Sequence, residues 1–116
     1  MLIKKYDLLL VDLNPTKGSE QKGARPCLVL QNNAANAFSG TTVVCPISTT
    51  IKHYPHTLIV DASKKNGLKA QSRVDILKIR VIDKKRILKK LGELDEKYRE
   101  ELKNRIGVSF DLDDIL

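Results

Sequence analysis

The stretch GSEQKGARPCLVLQNN, residues 18–33, decides how this chain is read. A polar segment bounded by Gly18 and Gly23 runs through Arg25 and Pro26 into the apolar run Cys27-Leu28-Val29-Leu30, which stops at Gln31-Asn32-Asn33. A short apolar run between turn-forming groups has the signature of a buried strand. Pro26 biases Arg25 towards an extended backbone, so a guanidinium is held at the mouth of that strand. A charge in such a place is costly unless it is paired or used. Residue type leaves two uses open. One is a fixed, always-charged fork that receives phosphate; the other is a structural arginine paired with Glu20 or a helix end.

The flanking sequence follows the same grammar. YDLLLVDL (6–13), RPCLVLQ (25–31), TTVVCPI (41–47) and HTLIVDA (56–62) are short apolar runs. They are bounded by the turn chemistry of Asn14-Pro15, Asn32-Asn33, Ser48-Thr49-Thr50 and Asn66-Gly67. SRVDILKIRVID (72–83) alternates in part and holds one bent strand or two. Short, regularly spaced strands predict a mainly β fold, a small barrel rather than a parallel α/β sheet. Beyond residue 83 the period changes. Asp83 is expected to cap a short helix over KKRILKKL (84–91), with Ile87, Leu88 and Leu91 on one face and Gly92 as its stop. Asp95 is expected to cap a longer helix from Glu96. There Tyr98, Leu102, Arg105, Ile106 and Ser109 or Phe110 recur at helical spacing, with one side packed on the barrel. Asp111–Asp114 reads as a solvated tail.

The 116 residues make one domain, 1–116, without repeats or linkers. With 41% hydrophobic but only 4% aromatic residues, its core must be Leu, Ile and Val. Twenty-one basic against 14 acidic residues give a net charge of +7, which favours a polyanion or an acidic protein as partner. The N-terminus has no signal-peptide pattern, and no apolar run approaches a membrane span. Cys27 and Cys45 read as reduced core residues of a cytoplasmic protein. With His53 and His56 they match no zinc spacing, so neither metal nor cofactor is expected.

Phosphate-loop and serine-nucleophile motifs are absent. The remaining polar features are three. The loop Ser19-Glu20-Gln21-Lys22 leads into Arg25. Ser48-Thr49-Thr50 follows an apolar strand, where hydroxyls donate to a phosphate or cap a turn. In SRVDILKIR, Arg73, Asp75 and Leu77 share one strand face, which is either a basic groove or an exposed edge.

VDLNPTKGSEQKGARPCLVLQNN (11–33) resembles the N-terminal signature of the MazF/PemK-type toxins of bacterial toxin–antitoxin systems. The matching residues are Asn14-Pro15-Thr16, Gly18-Ser19-Glu20-Gln21, Gly23, Arg25-Pro26 and Asn32. CPIST (45–49) and KIRVIDKKRI (78–87) extend the likeness over nearly the whole chain. The resemblance implies an SH3-like barrel with a short helix and a C-terminal helix, forming a homodimer. It implies a sequence-specific, metal-independent endoribonuclease that cuts single-stranded mRNA and so inhibits translation and growth. It further implies a small acidic MazE-like antitoxin as inhibitor, with DNA contacted only through that antitoxin.

Carried over by position, Arg25 falls on the family's catalytic arginine and Ser48 on its catalytic threonine, with Thr49 as substitute if the register differs by one. Serine keeps the hydroxyl but loses the methyl that fixes χ1. Lys78 stands where relatives often have Gln, and Leu77 where some have Asp or Glu; Asp75, on the same strand face, is placed to take over. Ser19, Gln21, Lys22, Thr49, Arg73, Asp75 and Lys78 are the expected RNA contacts. In the implied reaction a ribose 2′-hydroxyl attacks phosphorus, giving 2′,3′-cyclic phosphate and 5′-hydroxyl ends. Arg25 would stabilise phosphorane charge, and Ser48 would add a hydrogen bond. Arginine is a poor base at neutral pH, so Glu20 is the candidate base, unless it only holds Arg25. His53 or His56 is a further candidate from intrinsic pKa. The rivals are a CcdB-like toxin of DNA gyrase and a non-catalytic RNA-binding barrel, though the scattered aromatics offer no base-stacking platform.

Overall fold

Thr41–Ser48 (β3) is the strand around which the chain organises, because its eight residues outrun any one neighbour. In the computed structural model, which describes residues 2–14 and 23–115, its first half pairs with β6 (Arg80–Asp83) and its end with β5 (Ser72–Asp75). Along its other edge lies β2 (Ala24–Val29), then β1 (Asp7–Asp12) and β7 (Ile87–Glu93); β4 (Thr57–Val60) lies outside β5. All these pairings are antiparallel.

The chain between β6 and β7 forces this sheet to curl. In the order β6-β3-β2-β1-β7, laid flat, the outer strands would stand four spacings, about 19 Å, apart. Only the 3₁₀ turn Lys84–Arg86 joins them, and three residues so wound span roughly 6 Å. The result is the expected SH3-like curl, left open because β6 and β7 are not paired with each other among the described residues.

Both faces of the central strands are buried, which is why residues 8–11 read as a continuous apolar run rather than an alternating one. Leu9, Val11, Cys27, Val29, Val44 and Ile82 fill the inside of the curl, with Ile3 and Leu13. Leu8, Leu28, Cys45, Ile47, Leu58 and Val74 face the other way, where α2 (Arg99–Ser109) covers them with Leu102 and, from its flank and last turns, Tyr98 and Ile106.

Four expectations are corrected. KKRILKKL is not a helix: Asp83 caps only the single 3₁₀ turn, accepting from Lys85 N at 2.8 Å, and Ile87 begins β7. Apolar residues at 87, 88 and 91 suit a helix face, but the open edge of β1 offers a ladder of backbone partners that a helix would forgo. Asp95 does not cap the helix with its side chain. Its carboxylate instead accepts from Ser63 Oγ and Asn66 Nδ2, both at 2.8 Å, and fastens the loop after β4. Residues 112–115 form a short helix, α3, on which Asp113 and Asp114 are exposed. A further helix, α1 (Asn33–Phe38), is capped by the Asn32 side chain where only a turn was expected. Residues 72–83 resolve into two strands separated by the 3₁₀ turn Ile76–Lys78.

Candidate functional site

Strand register gathers residues that are far apart in sequence. Ser48 pairs with Arg73 across β3 and β5. Cys27 pairs with Pro46 across β2 and β3, and extending that register by two residues sets Arg25 opposite Ser48. Partners on adjacent strands point to the same face, so Arg25, Ser48 and Arg73 form one row at the end of three strands. Asp75 shares this face, with its Oδ2 3.8 Å from Arg73 Nη2. The exposed-edge reading of Arg73 and Asp75 is overturned: each is only 8% exposed, because β5 has a neighbour on both sides. Leu77 leaves their face, since the strand ends at Asp75 and the 3₁₀ turn leaves Leu77 exposed.

The row is electrostatically unfinished. The Nε atoms of Arg25 and Arg73 are buried and have no hydrogen-bond partner among the described residues. A buried N–H without an acceptor is destabilising, and native chains rarely keep one without a use. Between the two, Ser48 Oγ accepts from Thr50 N at 3.1 Å. That bond closes the turn through a lone pair and leaves the hydroxyl proton free to donate, so capping the turn does not preclude donation. Thr49 lies exposed beyond the strand end, and Lys78 is half-buried at the end of the turn after β5.

Arg80 is the residue that sequence reading passed over. It pairs with Val44, which lies on the same side of β3 as Ser48. Burial pushes the Cys27 thiol up to about 12 against the pull of the Arg80 and Arg25 charges. The signal was present in the alternation Arg80-Val81-Ile82, where Ile82 is buried and Val81 is exposed.

Ser19, Glu20, Gln21 and Lys22 lie outside the described residues. The bases of their segment are joined: Leu13 N donates to Gly23 O and Gly23 N to Asn14 Oδ1, both at 3.0 Å. His53 is exposed, and His56 stacks flat on Tyr54 at 5.0 Å. Neither hydrogen-bonds to Arg25, Ser48 or Arg73. Among the described residues no three His, Cys, Asp or Glu side chains come together as a metal would need, and no helix is long and apolar enough to cross a membrane.

Residues 4–110 match the family model described as the PemK-like, MazF-like toxin of type II toxin–antitoxin systems. The endoribonuclease EndoA of Bacillus subtilis is 36% identical over 116 residues, covering 98% of this chain and 99% of its own. The crystal structure of MazF from Deinococcus radiodurans is 25% identical, with TM-score 0.81 over 96% of this chain and 98% of that one. An endoribonuclease from a Mycobacterial species, solved in complex with its cognate antitoxin, shares the fold at 20% identity, TM-score 0.79, over 95% of this chain and 96% of that one.

Proposed function

The chain belongs to the PemK-like, MazF-like toxin family, and on that premise we propose that it is an endoribonuclease acting on single-stranded mRNA at the Arg25–Ser48–Arg73 row. One observation carries this reading: two guanidinium groups flank a hydroxyl, each with a buried donor that lacks an acceptor among the described residues. A phosphodiester brings acceptor oxygens of the geometry arginine forks fit.

In the proposed reaction the 2′-oxygen forms a bond to phosphorus as the bond to the 5′-oxygen breaks. The substrate supplies the nucleophile, so the chain needs neither a nucleophilic side chain nor a metal. Arg25 meets the charge that grows on the non-bridging oxygens, and Ser48 donates to one of them. Losing one such donor typically costs about 10²–10³ in rate. Arg73, held beside Asp75, binds the phosphate from the other side of Ser48. Glu20 is assigned the 2′-hydroxyl proton on its sequence position alone, and water protonates the departing 5′-oxygen. Ser19, Gln21, Lys22, Thr49, Asp75 and Lys78 are assigned to the flanking nucleotides. We place this activity in the cytoplasm, where mRNA is translated. The toxin acts as a homodimer and is held by a small acidic antitoxin, whose charge complements the +7 chain.

Incubation with a long single-stranded RNA in EDTA, with the cut ends mapped, tests the reading. Cuts at a recurring short sequence with cyclic-phosphate and 5′-hydroxyl ends are expected. Intact RNA from folded protein would refute it, and tight binding without cutting would favour the non-catalytic barrel.

A further inference from the structure

Arg86 ends the 3₁₀ turn between β6 and β7, and its side chain crosses to the end of β1. Its Nη1 donates to the Asp12 carbonyl at 3.3 Å and also to the Asn14 carbonyl. Both acceptors are main-chain groups at the point where the β1–β7 ladder gives out. Its last pair is Val11 with Ile87, after a register shift between Leu10 and Val11. Such irregularities commonly sit beside functional sites. Carbonyls past the end of a ladder need donors of another kind, and a planar guanidinium reaches two at once.

The residues so held are those that fix the start of β2. Asn14 Oδ1 receives Gly23 N, and Leu13 N donates to Gly23 O. Gly23 carries the chain through a left-handed turn, φ 80°, and two residues later Arg25 pairs with Val11. Among the described residues Arg86 makes no hydrogen bond to the row, yet it closes the frame from which Arg25 projects.

We propose that Arg86 is a positioning residue for cleavage: by clamping the Asp12 and Asn14 carbonyls it sets the β1–β2 neck, and through it the aim of the Arg25 guanidinium. This rests on the reading of Arg25 as the phosphate-binding group. A misplacement of about 1 Å at a reacting group can cost on the order of 10² in rate, while substrate contacts elsewhere are untouched.

The test compares wild type, Arg86→Ala and Arg86→Gln for single-turnover RNA cleavage, for melting temperature and for hydrogen exchange at the Gly23 amide. Arg86→Ala is expected to lower the maximal rate by roughly 10- to 100-fold with KM changed less than about threefold. The Gly23 amide, protected in wild type, is expected to exchange faster in step, with the melting temperature little changed. Arg86→Gln, which keeps an NH2 donor on a shorter, uncharged side chain, falls between. A full rate in Arg86→Ala overturns the proposal, as does a slow rate with Gly23 still protected or a rise in KM alone. If neither variant folds, Arg86 is a stability element and the proposal fails. If wild type itself cuts nothing, the failure belongs to the reading of Arg25 instead.

Discussion

At Arg25 stability and function pull apart. Its buried Nε has no acceptor among the described residues, so the fold gains nothing from that donor. Arg25→Ala should therefore melt within a few degrees of wild type, or above it, while cleavage falls by at least about 10²–10³. Calorimetry alongside single-turnover cleavage checks both halves; an active variant would move the site elsewhere. The two cysteines set a different dependence. Burial pushes both thiols from 9.0 to about 12, for Cys45 with the Cys27 and Asp75 charges adding to it. The unfolded chain thus loses these protons at lower pH than the folded one. Stability from the neutral thiols is complete below pH 9 and is lost as pH rises towards 12. Urea midpoints between pH 8 and 10.5 should fall, and the fall should be shallower in a Cys27→Ala/Cys45→Ala variant. At pH 8 iodoacetamide should label neither thiol in native protein and both in urea, read by mass spectrometry.

At the scale of the elements, the loop after β4 is seated on β7 through two glycines. A Cβ on Gly92 would stand 2.2 Å from Lys65 O, and one on Gly67, at φ 71°, 2.1 Å from Leu91 O. Backbone lies against backbone there, so nothing can yield cheaply, and Glu93 N still bonds Lys65 O at 2.9 Å. Gly107, inside α2, has open space where a Cβ would go. Gly92→Ala should cost at least about 2 kcal/mol, a loss of roughly 8–16 °C in Tm. Gly107→Ala should gain about 0.5–1 kcal/mol. Thermal melts of the two variants decide; equal effects would contradict the packing described. The same seat explains why Gly92 misleads as a helix stop: its missing side chain serves a strand crossed by a loop, not a helix end.

At the scale of the molecule, charge governs encounter with a polyanion. A +7 chain binding single-stranded RNA releases counterions, so affinity should fall with a log–log salt slope of roughly −0.7 per phosphate contacted. Arg73→Gln removes one contact from the proposed row and should reduce that slope by about one such contact, weakening binding equally across RNA sequences. Titrations of a non-cleavable RNA from 50 to 300 mM salt measure it; an unchanged slope would remove Arg73 from the phosphate site.

Much was legible in the sequence because it rests on local chemistry. The first four strands are bounded by turn residues that act within a few positions, and Arg25 is held at a strand start by the proline after it. The helix from residue 99 shows its buried face at helical spacing, and the signature at 11–33 carries the family. What depended on distant partners was not legible. Residues 87–93 became a strand only because β1 has an edge to fill. Arg73 and Asp75 became buried only because β4 closes over β5. The row of Arg25, Ser48 and Arg73 arises from register between strands, which no spacing along the chain encodes. Short-range sterics and hydrogen bonding are written residue by residue, whereas pairing across a sheet is settled by which edges remain unsatisfied once every strand has competed for them. The sequence by itself therefore determined what this protein is made of and which arginine to watch; the tertiary structure alone decided what stands beside it.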